Sequence, residues 1–267
     1  HYSSSLRKNQ LPASNSDLLA HRGQGTPAAF TGYDGSSAGS SSGLPMIYDS
    51  CWDFGGSAVG SLWRFEYLAA VTLGSLSDPR ANASDNNDGR QLAVRLGLVP
   101  FTGLLLRTSY ARAPYLDRVI ASGLAPGEQV EDFRQEIIGV SAEYEWRHLS
   151  VIGEWADNRW ESPNIHDGNG ASQDLKVTGF YLEGRYKLQP GWFVGGRYSG
   201  LRYGRIDDGS GSRQSIHWDF DVDRLEIGSG YWVTDVVLTK LTAQINRVGD
   251  PQNSRHSILG TQLTIRF

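Results

Sequence analysis

Residues Arg255–Phe267 read R-H-S-I-L-G-T-Q-L-T-I-R-F, and their pattern is the first indication of the fold. From Leu259 onward its odd positions carry Leu, Thr, Leu, Ile and Phe, and its even positions carry Gly, Gln, Thr and Arg. This alternation has a period of two, which is the period of a β-strand with one apolar and one polar face. The stretch therefore predicts a terminal strand, and the rest of the chain decides what kind of sheet that strand belongs to.

The composition limits the class of protein. With 267 residues the chain can form one large all-β domain or two ordinary ones. It contains no run of about eighteen apolar residues, which excludes a helical membrane protein. A β-barrel stays open because only alternate strand residues face lipid, and the 8 Trp, 12 Tyr and 32 Gly suit aromatic girdles and tight turns. The single cysteine, Cys51, excludes an intrachain disulfide, and the net charge of -4 argues against nucleic acid as a partner.

The alternation recurs along the chain after residue 50. We predict eleven strands, which begin near residues 52, 62, 90, 103, 135, 149, 176, 192, 222, 235 and 256. Tight turns alternate with longer loops, from a first turn at Gly60-Ser61 to a last turn near Val233-Thr234. This connectivity is typical of an all-β, up-and-down antiparallel transmembrane β-barrel with short periplasmic turns and long external loops. A soluble sandwich would use shorter strands and Greek-key connections.

Residues 1–50 show no such period. They are rich in Ser, Gly and Pro, so we predict a loop-rich segment, either an external loop or a plug, ahead of a barrel at 51–267. Bacterial barrels have an even number of strands, so eleven implies at least 12. The missing strand lies near Tyr2–Leu6 or Ala28–Tyr33, or the chain is the carboxyl-terminal part of a larger barrel. The second explanation is favoured because neither segment alternates well.

Two internal stretches and the terminal strand carry a family resemblance. The internal ones are Leu182-Glu-Gly-Arg-Tyr-Lys187 and Gly195-Gly-Arg-Tyr198, and the terminal strand closes on an aromatic residue. Together they resemble the porin superfamily of bacterial outer-membrane barrels and, more loosely, its phosphate-selective type. The resemblance implies a location in the bacterial outer membrane, contact with its lipid, and passive diffusion of small hydrophilic solutes or ions. The motifs are too short to carry phosphate selectivity over to this chain.

The polar positions of the strands predict the lining of a pore. The residues expected to line it carry full charges: Arg64, Glu66, Arg95, Arg107, Glu143, Glu154, Glu183, Arg185, Arg197, Glu226, Lys240 and Arg266. Over the whole polar face, nine positive against six negative residues predict a weak anion preference at most. Alternatively, these charges pair across neighbouring strands and fill the lumen.

Two other functions remain open, a scaffold whose lumen holds a partner protein and an outer-membrane barrel hydrolase. His256-Ser257 is the only adjacent His–Ser pair, but neighbours on a strand point to opposite faces and cannot form a nucleophile–base pair directly. Asp85–Gly89 and Asp207–Gly209 offer oxygen ligands without the full spacing of a calcium loop. We therefore expect no catalysis, no metal and no cofactor, and leave open whether the chain forms a homo-oligomer or binds a protein partner.

The eight tryptophans lie mostly near predicted strand ends, where an interfacial belt is their expected role. They are Trp52, Trp63, Trp146, Trp155, Trp160, Trp192, Trp218 and Trp232.

Overall fold

The computed structural model of the protein describes Met46 and most of residues 53–266. Within that part the positions 75, 77–86, 117, 167–171, 208–214 and 250–254 lie outside the described residues, as do 1–45, 47–52 and 267. The terminal Phe267 and the two candidate positions of a twelfth strand are therefore not described. Among the described residues, no helix is long and apolar enough to span a membrane. The short 3₁₀ helices there span Arg118–Gly123 and Val130–Asp132.

The described residues form thirteen β-strands. In chain order they are β1 (Gly55–Leu62), β2 (Phe65–Thr72), β3 (Gln91–Phe101), β4 (Leu104–Pro114), β5 (Arg134–Trp146), β6 (Leu149–His166), β7 (Ser172–Gln189), β8 (Trp192–Tyr203), β9 (Arg205–Asp207), β10 (Ser215–His217), β11 (Val222–Thr234), β12 (Val237–Val248) and β13 (Arg255–Ile265). The predicted strands all appear, with starts that differ by a few residues.

Eleven of these strands form one antiparallel sheet in which each strand pairs with the next along the chain. The order is β1-β2-β3-β4-β5-β6-β7-β8-β11-β12-β13, and β9 and β10 form a separate small hairpin within the loop between β8 and β11. This is the predicted up-and-down connectivity. The described strands number eleven in the main sheet, so the expectation of at least 12 remains a prediction.

Five tight turns lie at one end of the sheet, at residues 63–64, 102–103, 147–148, 190–191 and 235–236. The predicted turn at Gly60-Ser61 is wrong, because both residues lie within β1 opposite Tyr67 and Glu66. Gly60 makes room for the Tyr67 ring, since a Cβ there would lie 2.5 Å from the Tyr67 hydroxyl. The last turn lies two residues beyond the predicted Val233-Thr234, because those residues still belong to β11.

Each tight turn is hydrogen-bonded to the following hairpin. The carbonyl of its second residue accepts a backbone N–H bond in every case: from Val99 to Arg64, from Glu145 to Gly103, from Lys187 to His148, from Trp232 to Gly191 and from Arg266 to Val236. These bonds join the turns into one row. We call this side of the sheet the tight-turn end and the opposite side the long-loop end.

The sheet reverses the polarity of a soluble protein. One face exposes large apolar side chains, including Leu96 at 55%, Leu182 at 59% and Ile227 at 56%. The opposite face buries charged ones, including Glu183 and Glu226 at 4% each. Because a soluble core is apolar and its surface charged, this arrangement suits a sheet whose outer face meets lipid.

The hairpin of β6 and β7 is the longest in the sheet, with 18 residues in each strand. A tilted strand needs only about 9–11 residues to cross a membrane. Past the apolar band, the outer face of this hairpin carries a cluster of ion pairs centred on Arg159. Its guanidinium lies 3.7 Å from Glu136, 3.3 Å from Glu161 and 3.4 Å from Asp174. The hairpin therefore continues beyond the apolar band toward the long-loop end.

Candidate pore and its inner face

A row of directly opposed residues crosses the polar face of the sheet. Opposed residues in an antiparallel pair project to the same side, so the row identifies one face, which we call the inner face. From β2 to β12 the row consists of Glu66, Gly97, Arg107, Ser141, Glu154, Tyr181, Ser199, Arg224 and Asn246.

Most of the predicted pore-lining residues lie on strands of this inner face. They are Glu66, Arg95, Arg107, Glu143, Glu154, Glu183, Arg185, Arg197, Glu226 and Lys240. Arg64 instead lies in the tight turn before β2, where its guanidinium donates to the Pro100 carbonyl and lies 5.0 Å from the Trp63 ring. Arg266 follows β13 and lies 5.0 Å from the ring of Trp232. Their role as pore-lining residues stays a prediction for all twelve.

The structure changes the charge balance of the inner face. The sequence counts nine cationic residues against six acidic ones over the polar face. Because Arg64 and Arg266 lie at the tight-turn end outside the strands, seven cationic residues remain on the strands against the same six. The inner face is thus close to neutral.

An accessible charge cluster lies on the inner face of β2 to β5. Arg107 contacts two carboxylates from different strands, with 2.6 Å between its Nη1 and Glu143 Oε1 and 3.6 Å between its Nε and Glu66 Oε2. These side chains remain partly exposed, at 20% for Arg107, 41% for Glu66 and 29% for Glu143. We call Glu66, Arg107 and Glu143 the Arg107 cluster.

A buried polar network covers the inner face of β6 to β12. Glu154, Glu183, Arg224, Glu226 and Lys240 are each less than 9% exposed. The Tyr181 hydroxyl donates to Glu154 Oε2 at 2.9 Å. Arg224 Nε donates to Asn246 Oδ1 at 2.7 Å. Each of the five charged residues has an interaction partner, which a buried charge requires.

A hydrophobic cap covers the inner face at the long-loop end. It joins inward-facing strand residues to residues from the loops: Ile137, Ala156, Trp160, Leu175, Val177, Leu201, Tyr203 and Val222 from strands, Tyr115, Leu116, Val130 and Trp218 from loops, and Met46. Trp218 is central to it, with its ring centroid 5.7 Å from Trp160 and 4.9 Å from Tyr203, both edge to face. The cap therefore holds loop segments against the inside of the sheet.

Hydrogen bonds from Tyr115 and Gln135 help to fix the cap. The Tyr115 hydroxyl donates to the Glu161 carbonyl at 2.7 Å. Burial, together with the nearby charge of Glu161, raises the pKa of this phenol well above its ordinary value, so it remains a donor at neutral pH. Gln135 Nε2 donates to the carbonyl of Met46 at 2.8 Å and to Asn158 Oδ1 at 2.7 Å.

The cap is the part of the site that sequence reasoning missed. The interfacial belt predicted for Trp160 and Trp218 is wrong for these two residues, which are 0% and 2% exposed. Trp232 is partly buried and packs against Phe193 and Leu238, so it does not fit a belt either. Trp63, Trp146, Trp155 and Trp192 are exposed, as a belt requires, and Trp52 lies outside the described residues. The sequence does contain one indication that Trp160 is buried. Trp160 and Glu154 both occupy even positions of β6, so both side chains face inward.

The described residues bring together no metal-binding group of three or more His, Cys, Asp or Glu side chains. Asp85 and Asp208, from the two candidate loops, lie outside the described part. His217 Nδ1 lies 2.8 Å from the Tyr203 carbonyl, which gives this histidine a structural contact.

Comparison with known proteins adds the fold family. No protein-family model and no curated protein sequence matches the chain. Among solved structures, it resembles the outer membrane channel DcaP of Acinetobacter baumannii at 10% identity and a TM-score of 0.54, over 92% of this chain and 70% of that one. It also resembles an anion-selective porin from Comamonas acidovorans, at 10% identity and a TM-score of 0.51, over 79% of this chain and 55% of that one.

A third similar structure is a porin refined at 1.8 Å resolution, at 15% identity and a TM-score of 0.50, over 77% of this chain and 59% of that one. The chain thus spans less than two thirds of the length of both porins. At such identities the likeness shows the fold alone. The chain has the porin-like β-barrel fold of bacterial outer-membrane proteins, and its exposed apolar band suits the lipid of that membrane.

Proposed function

We propose that the protein is a passive diffusion channel of the bacterial outer membrane for small hydrophilic solutes or ions. The observation that carries the proposal is the reversed polarity of the sheet, with exposed leucines and isoleucines on one face and charged residues on the other. Lipid can solvate the first face, and a hydrated path can follow the second. The proposal involves no catalytic step, metal or cofactor, because solutes follow their own gradient.

In this proposal the tight turns lie in the periplasm and the long loops lie outside the cell. The support is the length difference between the two sets of connections, since the tight turns have two residues each. Bacterial outer-membrane barrels have short periplasmic turns and longer external loops. The near balance of seven cationic and six acidic residues supports a weak anion preference at most.

Single-channel recording in a planar bilayer tests the channel. We expect stable conductance steps from the purified protein and, in a salt gradient, a reversal potential close to zero with a small anion-selective sign. The control is protein whose β-type circular dichroism and heat-modifiable migration show that it is folded. Silence from folded protein would contradict the channel, and a protein that co-purifies with it would then favour a scaffold around a partner.

We also propose that the amino-terminal segment restricts the pore as a plug. The support is Met46, which is 2% exposed and packs in the cap against the inner face. Its carbonyl accepts a hydrogen bond from Gln135 of β5. Deletion of residues 1–45 should raise the single-channel conductance of the folded protein, because it removes chain that leads to this contact. Equal conductance from the full chain and the deletion variant would contradict a plug.

A further inference from the structure

We propose that the ion preference of the channel is set by the Arg107 cluster and not by the more numerous buried charges on β6 to β12. This inference rests on the proposed function and assigns its specificity to Glu66, Arg107 and Glu143. Their positions in the sheet, their exposure and their surroundings all support this assignment.

Arg107 holds two carboxylates that come from strands on either side of it. Glu143 lies on β5, next to β4, but Glu66 lies on β2, two strands away. The residue between Glu66 and Arg107 in the row is Gly97. A Cβ at Gly97 would lie only 3.2 Å from Glu66 Oε2, so the absence of a side chain there lets Glu66 reach across β3.

Small neighbours keep the cluster open to water. Gly97 and Ser141 are the residues directly opposite Arg107 on its two neighbouring strands. Neither carries a side chain large enough to cover a guanidinium. The exposed fractions of 20% to 41% in the cluster follow from this, and they let a hydrated ion approach the charges directly.

The charges on β6 to β12 differ in burial and in balance. Glu183 and Glu226, each 4% exposed, lie on either side of Arg197 in the register of β7, β8 and β11. Lys240 is 5% exposed. Three acidic residues (Glu154, Glu183, Glu226) and three cationic ones (Arg197, Arg224, Lys240) share this wall, and each of these six has an interaction partner. Arg185 and Lys187 of β7 add two less buried cations on the side of the tight-turn end. Six charges that balance one another and lie largely within the wall affect a mobile ion little at high salt, where the Debye length falls to about 3 Å at 1 M.

The Arg107 cluster and the buried charges on β6 to β12 should therefore respond differently when one cationic side chain is removed. Without Arg107, the charge beside two partly exposed carboxylates becomes one unit more negative. The cation-to-anion permeability ratio should then rise about twofold, the size expected for one unit charge near the path in screened water. Loss of Lys240 should change the ratio several-fold less.

The test uses cysteine variants, because the chain has a single cysteine, Cys51, which is first replaced by serine. Arg107→Cys and the matched control Lys240→Cys are made in that background. Their reversal potentials are measured in a KCl gradient before and after addition of a methanethiosulfonate reagent that carries a trimethylammonium group. We expect Arg107→Cys to raise the ratio, the cationic reagent to restore it, and Lys240→Cys to respond to neither.

Glu66→Gln is the second variant, and it should shift the ratio in the opposite direction by a similar factor. Unchanged ratios in Arg107→Cys and Glu66→Gln, or an equal shift in Lys240→Cys, would overturn the assignment while leaving the channel intact. Absence of conductance in the folded, unsubstituted protein would overturn the proposed function itself, and this assignment with it.

Discussion

Gly103 closes the tight turn between β3 and β4 with a φ of +94°, which favours glycine. A Cβ there would also lie 2.4 Å from the Glu145 carbonyl oxygen, which belongs to the backbone and cannot move aside cheaply. We predict that Gly103→Ala destabilises the protein by about 1–3 kcal/mol. The measurement is the urea midpoint in lipid vesicles.

The matched control for Gly103 is Gly127, which has a similar φ of +96° in the loop after β4 but open space where a Cβ would lie. In Gly127→Ala the new side chain strains the backbone at a positive φ but meets no neighbouring atom. We therefore expect it to destabilise the protein less than Gly103→Ala. Equal midpoints for the two variants would show that the contact with Glu145 is unimportant.

For individual residues, the sequence predicts the direction of a side chain well and the position of a turn poorly. Period-two parity correctly places Glu154 and Arg197 on the polar face, because a strand leaves each side chain only two directions. The sequence-based prediction places Arg64 on a strand, although it lies in a turn, and this error has a different reason. The turn at Trp63-Arg64 contains no glycine or proline, whereas Gly60 nearby has the composition of a turn and serves instead to accommodate Tyr67.

Among the elements, the cap depends on strand β6. Trp160 on this strand is 0% exposed and packs against Trp218 from the loop between β8 and β11. We predict that Trp160→Ala destabilises the protein by about 3–5 kcal/mol, because it removes a large buried side chain and leaves a cavity. Loss of the edge-to-face contact should also expose the Trp218 loop to added protease, which a digestion time course measures.

The control on the same strand is Trp155→Ala. Trp155 lies on the outer face and is 41% exposed, so its truncation should cost much less and leave the Trp218 loop protected. The prediction fails if both variants unfold at the same denaturant concentration.

The cap could not be predicted from periodicity, although the strands that carry it could. Alternation predicts the faces of β6 and β8, but it contains no information on which loops fold inward. Trp218 and Tyr115 come from segments without a period, and their burial depends on contacts with strands that are distant in sequence. The sequence also does not predict the hairpin of β9 and β10, because strands of three residues are too short to show an alternation.

For the whole molecule, membrane insertion predicts that the cost of a charge depends on its depth. Leu96, 55% exposed, lies in the middle of the apolar band, whereas Val236, 47% exposed, lies in a tight turn. Leu96→Arg should destabilise the protein by about 2–4 kcal/mol in lipid vesicles, and Val236→Arg by about 0–1 kcal/mol.

Reversible urea unfolding, followed by tryptophan fluorescence, measures both arginine variants. Since the two positions are about equally exposed, a soluble sheet would tolerate both substitutions. Equal and small costs would therefore contradict a lipid-facing band.

The overall architecture is the most predictable feature, because eleven consecutive alternating segments leave few other ways to arrange the chain.

The length of the β6–β7 hairpin has a practical consequence for imaging. With 18 residues per strand against the about 11 that a crossing requires, about seven residues of each strand, or roughly 23 Å, extend past the bilayer. Small membrane proteins lack features outside the detergent micelle by which particle images can be aligned. This hairpin is such a feature, stiffened by the ion pairs of Arg159, and an antibody fragment raised against it would serve as a fiducial marker for electron cryo-microscopy.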